Sequence, residues 1–173
     1  MPFDAAAYGA EIAAILVMDG DGERLMPLVR SAPVHPKAKA KIEALAQRKS
    51  VPQTAIAGLY LYHSFWNEAH ETAQEINTRE GSYWHAIVHR QEPDAGNAGY
   101  WFRQVGEHPI FPALHEHAAA HGVNFGPRWN PRAFIEYCEQ AHEQGGEAER
   151  KALDVQRAEW QLLFDFCAKP GRA

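Results

Sequence analysis

The sequence predicts an all-α fold, and three observations support that prediction. Apolar residues recur with helical spacing along the chain, and no segment shows the period-two alternation of a half-buried strand. The length of 173 residues, with 46% apolar and 23% charged residues, is typical of one globular domain. Helix-start signals also recur along the chain, at Asp4, Pro36, Pro52, Asp94, Pro109 and Asn130. We therefore expect a single all-α domain over residues 1–173, built of antiparallel helical hairpins that form either a helical repeat or an orthogonal bundle.

The first four helices are placed by their caps. Asp4 suits the N-cap of a first helix, which ends where Gly20 and Gly22 follow. Pro36 and Pro52 each fit the first turn of a helix, because proline lacks the amide hydrogen that this turn leaves unused. The predicted ranges are approximately 4–18, 36–48, 52–62 and 64–76.

The remaining helices follow the same signals. Asp94 is a typical N-cap, and Asn130 directly before Pro131 combines a cap with a first-turn proline. The Gly145–Gly146 pair separates the last two helices. The predicted ranges are approximately 81–90, 94–105, 109–121, 131–142 and 147–167.

Charge and cysteine usage limit the partners. Seventeen Lys and Arg against 22 Asp and Glu give a net charge of −5, which disfavours nucleic acid and anionic membranes as partners. No run approaches the 18 apolar residues of a spanning helix, and the N-terminal segment lacks the basic residues of a signal peptide. Cys138 and Cys167 fit buried, reduced thiols. We expect a soluble, cytoplasmic protein whose partner is a peptide or a small molecule.

A short internal repeat lies in the middle of the chain. Its two units lie 29 residues apart along the chain. Three positions carry residues of the same kind in both units, small or ring-bearing: Ala57, Tyr60 and Ala69 in the first unit and Ala86, His89 and Ala98 in the second. Phe102 and Pro109 follow the second unit at helical-repeat spacing. Residues 50–111 therefore resemble the tetratricopeptide helix-turn-helix repeat, although the period is shorter and His89 replaces the usual Tyr. Residues 81–111 are also similar to a block in helical proteins of bacteria and fungi, and this resemblance implies no activity.

The strongest candidate site lies around His85 and His89, which share one helix face at spacing i, i+4. Glu92 follows three residues after His89, and nine of the 19 aromatic residues fall between residues 60 and 102. Such a lining suits an apolar pocket with a few polar groups. Core histidines hydrogen-bonded between helices are the favoured alternative, because the repeat register turns both residues toward the packed side. The candidate ligand-binding residues are His63, His85, His89, Arg90, Glu92, Asn97, Trp101 and Arg103.

Three further motifs carry weaker signals. His117 and His121 form a second i, i+4 pair that can coordinate a metal ion. The alternative is that both are surface residues without a ligand. The metal-ligand candidates are thus His85, His89, His117 and His121. The segment HETAQ, residues 70–74, lacks the second His of the HExxH zinc motif and predicts a solvated helix face. Asp19 and Asp21 lie in a DGDG segment that predicts a polar turn rather than a phosphohydrolase site, because that site needs a parallel sheet and none of the later segments is typical of a buried strand.

Two functions remain open at this point. The first is a helical binding or scaffold protein that recognises a peptide or small ligand on the aromatic and His-rich surface. The second is a metal- or His-dependent, hydrolase-like enzyme with its site around His85 and His89, using a divalent transition metal as cofactor. We expect the first, and the sequence names no catalytic residue and no oligomeric state.

Overall fold

The fold is known from a computed structural model that describes residues 3–169, and it confirms the all-α prediction. Of the described residues, 71% are helical, and no strand occurs among them. Its nine α-helices there are α1 (Ala10–Leu16), α2 (Lys37–Arg48), α3 (Gln53–Tyr62), α4 (Trp66–Gln74), α5 (Arg79–Gln91), α6 (Ala95–Val105), α7 (Phe111–Ala120), α8 (Pro131–Gln144) and α9 (Gly146–Ala168).

Side-chain caps set the starts of α5, α6 and α8. Asp94 Oδ1 accepts from the amide of Asn97 at 3.0 Å and begins α6, as predicted. Asn130 Oδ1 accepts from the amide of Ala133 at 3.1 Å and begins α8, also as predicted. The start of α5 was predicted two residues late, because Thr78 supplies a cap that the sequence analysis did not use.

The first predicted helix is interrupted. Gly9 adopts a φ of 95° and separates a short 3₁₀ turn at Ala5–Tyr8 from α1. After α1, the DGDG segment is a turn, with Asp21 at a φ of 55°. The Tyr62 hydroxyl accepts from the amide of Gly22 at 2.9 Å and so fixes this turn to α3. The DGDG segment therefore has a structural role, and the described residues hold no sheet that a phosphohydrolase loop requires.

The centre of the core lies where α3, α5 and α9 pack together. Every residue of α3 from 55 to 62 is buried. Trp84 of α5 and Trp160 of α9 are fully buried against it, and Trp160 Nε1 donates to the carbonyl of Gly58 at 2.9 Å. Gly58 has no side chain because an added Cβ would lie 2.9 Å from the Trp84 ring. This close packing fixes the position of α5 in the fold.

A buried ion pair also ties α5 to α9. Arg90 Nη2 lies 2.5 Å from Glu159 Oε2, and both side chains are 0% exposed. Gln156 Oε1 accepts from the same Arg90 nitrogen at 3.2 Å, and Tyr83 donates its hydroxyl to Glu159 Oε1 at 3.1 Å. Removing one partner of such a pair typically costs about 3–5 kcal/mol, because the other charge stays buried. The network therefore fixes the rotation of α5.

Both cysteines are buried and free, which confirms the predicted thiols. Among the described residues, none of the helices combines the length and the apolar character that a membrane crossing needs. Cys138 lies on α8 and Cys167 on α9.

Candidate functional site

Three histidines from two helices converge beside the core, and we call them the histidine cluster: His70 of α4 with His85 and His89 of α5. One ring nitrogen from each lies within 4.8 Å of the others. Nε2 of His70 is 3.0 Å from Nε2 of His85. The rings of His85 and His89 stack, with centroids 4.8 Å apart. The spacing i, i+4 places these two rings on one face of α5, as the sequence predicts.

Small residues bring the two helices close enough for this convergence. Ala69 and Ala73 of α4 and Ala86 of α5 are all buried. Alanine at such positions lets the helix backbones approach, so that side chains beside it meet across the interface. His70, next to Ala69, therefore reaches the His85 ring instead of the solvent.

Burial keeps the imidazoles of His70 and His85 neutral. Burial, followed by the neighbouring rings of His70 and His89, lowers the pKa of His85 to about 4. Burial, followed by the His89 ring, also lowers the pKa of His70. At neutral pH both side chains thus have one nitrogen with a lone pair, which is the form that binds metals.

Glu92 fixes the orientation of His89. Its Oε2 lies 3.3 Å from Nδ1 of His89, and a carboxylate only accepts at that distance. Nδ1 of His89 therefore carries a proton, and Nε2 is the ring nitrogen that does not contact Glu92. Histidines that bind metals usually have such a carboxylate on the other ring nitrogen.

Two tryptophans enclose the cluster. Trp101 stacks on His85 with ring centroids 4.1 Å apart, and Trp66 stacks on His70 at 5.2 Å. Trp66 is fixed in turn, because its Nε1 donates to the Val88 carbonyl at 2.9 Å. The rings restrict the rotation of the imidazoles and exclude water from two sides of the cluster.

The geometry matches a three-histidine metal centre. Zinc binds histidine nitrogens at about 2.0–2.1 Å in tetrahedral sites, so its ligand atoms lie roughly 3.4 Å apart. The distance between Nε2 of His70 and Nε2 of His85, 3.0 Å, is shorter than that value. The upper limit of 4.8 Å for the distances among the three ligand nitrogens is longer. Three protein ligands leave a fourth position for water, which is the arrangement of catalytic zinc sites.

The structure brings together four of the predicted ligand-binding residues: His85, His89, Glu92 and Trp101. The two predicted arginines lie elsewhere. Arg90 points into the core against Glu159, and Arg103 is exposed with its guanidinium 5.8 Å from the Tyr100 ring. Neither arginine lies with the histidine cluster.

The remaining two predicted residues also have other surroundings. His63 is buried at the end of α3, where Asp19 and Arg24 are its charged neighbours. The Asn97 side chain is exposed and donates to Asp94 Oδ2 at 2.7 Å, which strengthens the cap of α6. Neither residue lies with the histidine cluster.

The sequence analysis missed His70, because it assigned the HETAQ segment to a solvated helix face. That assignment is wrong for His70, whose ring contacts His85. The missing signal was the short connection between α4 and α5, which makes them a hairpin. In such a hairpin, residue 70 lies opposite residues near 85. The hairpins predicted from the sequence instead pair α3 with α4 and α5 with α6.

Comparisons with protein-family models, with curated proteins and with solved structures each found no match. The tetratricopeptide-like character of residues 50–111 therefore stays a prediction. Function is inferred below from the chemistry of the site, which is the level at which function is determined on any fold.

Proposed function

We propose that the histidine cluster binds a divalent transition metal ion and that this ion serves a hydrolytic reaction on a small substrate. One observation carries the proposal: three ring nitrogens, from His70, His85 and His89, converge within 4.8 Å. Imidazole ligands suit zinc, nickel, copper and iron. A metal centre at this position is the second of the two functions that the sequence left open.

The alternative explanation is a hydrogen bond between two core histidines. An N–H to N bond between His70 and His85 is compatible with their 3.0 Å separation. Nδ1 of His85 is buried and has no hydrogen-bond partner among the described residues, and neither the hydrogen bond nor a bound metal provides one. The hydrogen bond gives no role to the third ring, whose Nδ1 proton is fixed by Glu92. A bound metal uses all three rings.

Each residue has a defined task in this proposal. His70, His85 and His89 bind the ion, Glu92 fixes the tautomer of His89, and Trp101 shields one side from water. A bound zinc ion lowers the pKa of its water ligand to about 7, which supplies a nucleophile at neutral pH. Glu92, with its side chain 38% exposed, lies at the solvent side of the cluster.

A second candidate function is recognition of a small anionic ligand, and a cavity between α6 and α8 supports it. This cavity has a volume of about 450 Å³, and Arg103 and Arg132 lie on its opposite helices. Tyr100, next in the chain to Trp101, is 46% exposed. Arginine pairs are well suited to carboxylate and phosphate groups. The sequence predicts a binding function as well, but places it on the aromatic and His-rich surface rather than in this cavity.

Metal analysis of untagged protein tests the proposal. After removal of metal with a chelator, titration with Zn²⁺ should show low-micromolar or tighter binding. The His85→Leu/His89→Phe variant keeps the bulk of both side chains and should lose that ion while retaining its far-ultraviolet circular dichroism. His142→Ala, an exposed histidine of α8, is the matched control and should bind as the parent does.

Activity is measured on chromogenic carboxylate and phosphate esters. The proposal expects turnover that disappears with the chelator, returns with Zn²⁺ and is absent from His85→Leu/His89→Phe. A number of bound Zn²⁺ ions per chain that is equal in the parent and in this variant contradicts the metal centre. Metal binding without any hydrolysis of either ester class contradicts the assigned reaction.

A further inference from the structure

A second group of ligand-type side chains lies between α7 and α9, and we call it the α7–α9 site. It consists of His117 and His121 of α7 and Asp154 of α9. Nε2 of His117 is 2.9 Å from Asp154 Oδ2, and Nε2 of His121 is 3.3 Å from the same oxygen. The two imidazole rings stack with centroids 4.2 Å apart. Both imidazoles are thus directed at one carboxylate oxygen.

A backbone contact determines the protonation of His121. Its Nδ1 lies 2.8 Å from the carbonyl oxygen of His117. A carbonyl only accepts hydrogen bonds, so Nδ1 carries a proton. Neutral His121 therefore presents a lone pair at Nε2, directed at the lone pairs of Asp154 Oδ2. Two acceptors 3.3 Å apart repel each other unless a cation or an additional proton lies between them.

The carboxylate is oriented by the same helix that carries it. Arg157 Nη2 lies 2.5 Å from Asp154 Oδ1, and Arg157 Nη1 lies 2.9 Å from Glu23 Oε2. The arginine occupies Oδ1 and leaves Oδ2 directed at the two histidines. A carboxylate ligand whose second oxygen is hydrogen-bonded is typical of protein metal centres.

We propose that His117, His121 and Asp154 form a second site for a divalent transition metal ion, separate from the histidine cluster. Two histidines and one carboxylate leave the remaining coordination positions to water or to another ligand. His121 and Asp154 line a cavity of about 750 Å³, through which an ion reaches the site. All three side chains are partly exposed, so binding here needs no opening of the core.

The competing explanation is a protonated histidine paired with Asp154. An imidazolium at His121 satisfies the same distances, although exposed ion pairs of this kind are weak. The two explanations differ in one respect that can be measured, because the ion pair requires no metal.

The experiment uses the His85→Leu/His89→Phe variant, in which the α7–α9 site is the remaining metal site. Equilibrium dialysis against Zn²⁺ at neutral pH should give one ion per chain with low-micromolar affinity. Adding His117→Ala and His121→Ala should abolish this binding. His115→Ala on the same helix removes a histidine outside the site and should leave binding unchanged.

Two results would overturn the inference: no Zn²⁺ bound at low-micromolar concentration, or binding that survives the loss of His117 and His121. If the His85→Leu/His89→Phe variant does not fold, the same test is made in the parent. There, His117→Ala/His121→Ala should lower the stoichiometry by one ion relative to His115→Ala, and an unchanged stoichiometry refutes the site. Failure of the histidine cluster is distinguishable, because that site is lost only with His85 and His89.

Discussion

Single residues decide which histidines of this protein have a free lone pair. His63 and His85 are both buried, and burial lowers the pKa of each to about 4. Only His85 has further histidine rings beside it, at 4.6 Å and 4.8 Å between centroids. The same physical effect therefore gives a structural residue in one place and a potential ligand in the other. The difference lies in the neighbours rather than in the burial.

Glu92→Gln should weaken Zn²⁺ binding by the histidine cluster about 10- to 100-fold, the usual effect of losing a carboxylate behind a histidine ligand. The amide is neutral and no longer fixes the Nδ1 proton of His89. Isothermal titration calorimetry of the parent and the variant measures the change. Glu136→Gln, an exposed glutamate of α8, is the control. Equal affinities of parent and Glu92→Gln would show that the carboxylate does not act on the metal.

His63 should make the protein less stable in acid. Its pKa is about 4 in the folded protein and about 6.5 in the unfolded chain, so the unfolded state takes up the proton first as the pH falls. The contribution is complete above pH 6.5 and is lost between pH 6.5 and about 4, by up to about 1.4 kcal/mol per pH unit. Urea unfolding across this range should show a shallower pH dependence for His63→Phe than for the parent. Identical slopes would exclude this role.

At the scale of helices, the packing of α3, α5 and α9 positions the histidine cluster. α5 carries His85 and His89 on one face, and the same helix contributes Arg90 to the buried ion pair with Glu159. A rotation of α5 would therefore break the ion pair and separate the imidazoles from His70. Close approach of the three helices depends on a residue without a side chain, Gly58.

Gly58→Ala and Gly99→Ala should have opposite effects on stability. At Gly58 the new Cβ would lie 2.9 Å from Trp84 and 3.1 Å from Phe164, and overpacking of this kind costs about 1–3 kcal/mol. At Gly99 the nearest atom is 3.8 Å away on the flexible Arg103 side chain, so the helix propensity of alanine should add up to about 1 kcal/mol. Urea unfolding measures both. A stabilised Gly58→Ala would contradict the tight packing at α3.

The helices were predictable because their signals are local. Asp94 and Asn130 cap the helices that the sequence assigned to them, since a cap involves only neighbours in the chain. His70 and Asp154 were not found as ligands, because each meets its histidines only through the packing of a second helix. Arg90 was misplaced for the same reason: its partner Glu159 lies 69 residues away. Spacing along one helix predicts a shared face and does not show what lies opposite.

On the scale of the whole molecule, the core extends through helices from both halves of the chain. Cys138 of α8 and Cys167 of α9 belong to it, and burial raises the pKa of each thiol to about 12. A thiol with so high a pKa has little thiolate at neutral pH, and the thiolate is the reactive form.

Both cysteines should therefore react with an aromatic disulfide reagent only after unfolding. Two thiols should titrate rapidly in denaturant without reductant, whereas the folded protein should react at the slow rate of global or local opening. Absorbance of the released thiolate follows both reactions. Rapid modification of the folded protein would contradict the burial of Cys138 and Cys167.

The histidine cluster is tested most directly by a crystal structure of untagged protein grown with Zn²⁺, with diffraction recorded on both sides of the zinc absorption edge. We predict an anomalous peak between the three rings, at about 2.0–2.1 Å from one nitrogen each of His70, His85 and His89. Zinc-containing crystals with no anomalous peak at this position, and with His70 and His85 joined by a direct hydrogen bond, would contradict the metal centre.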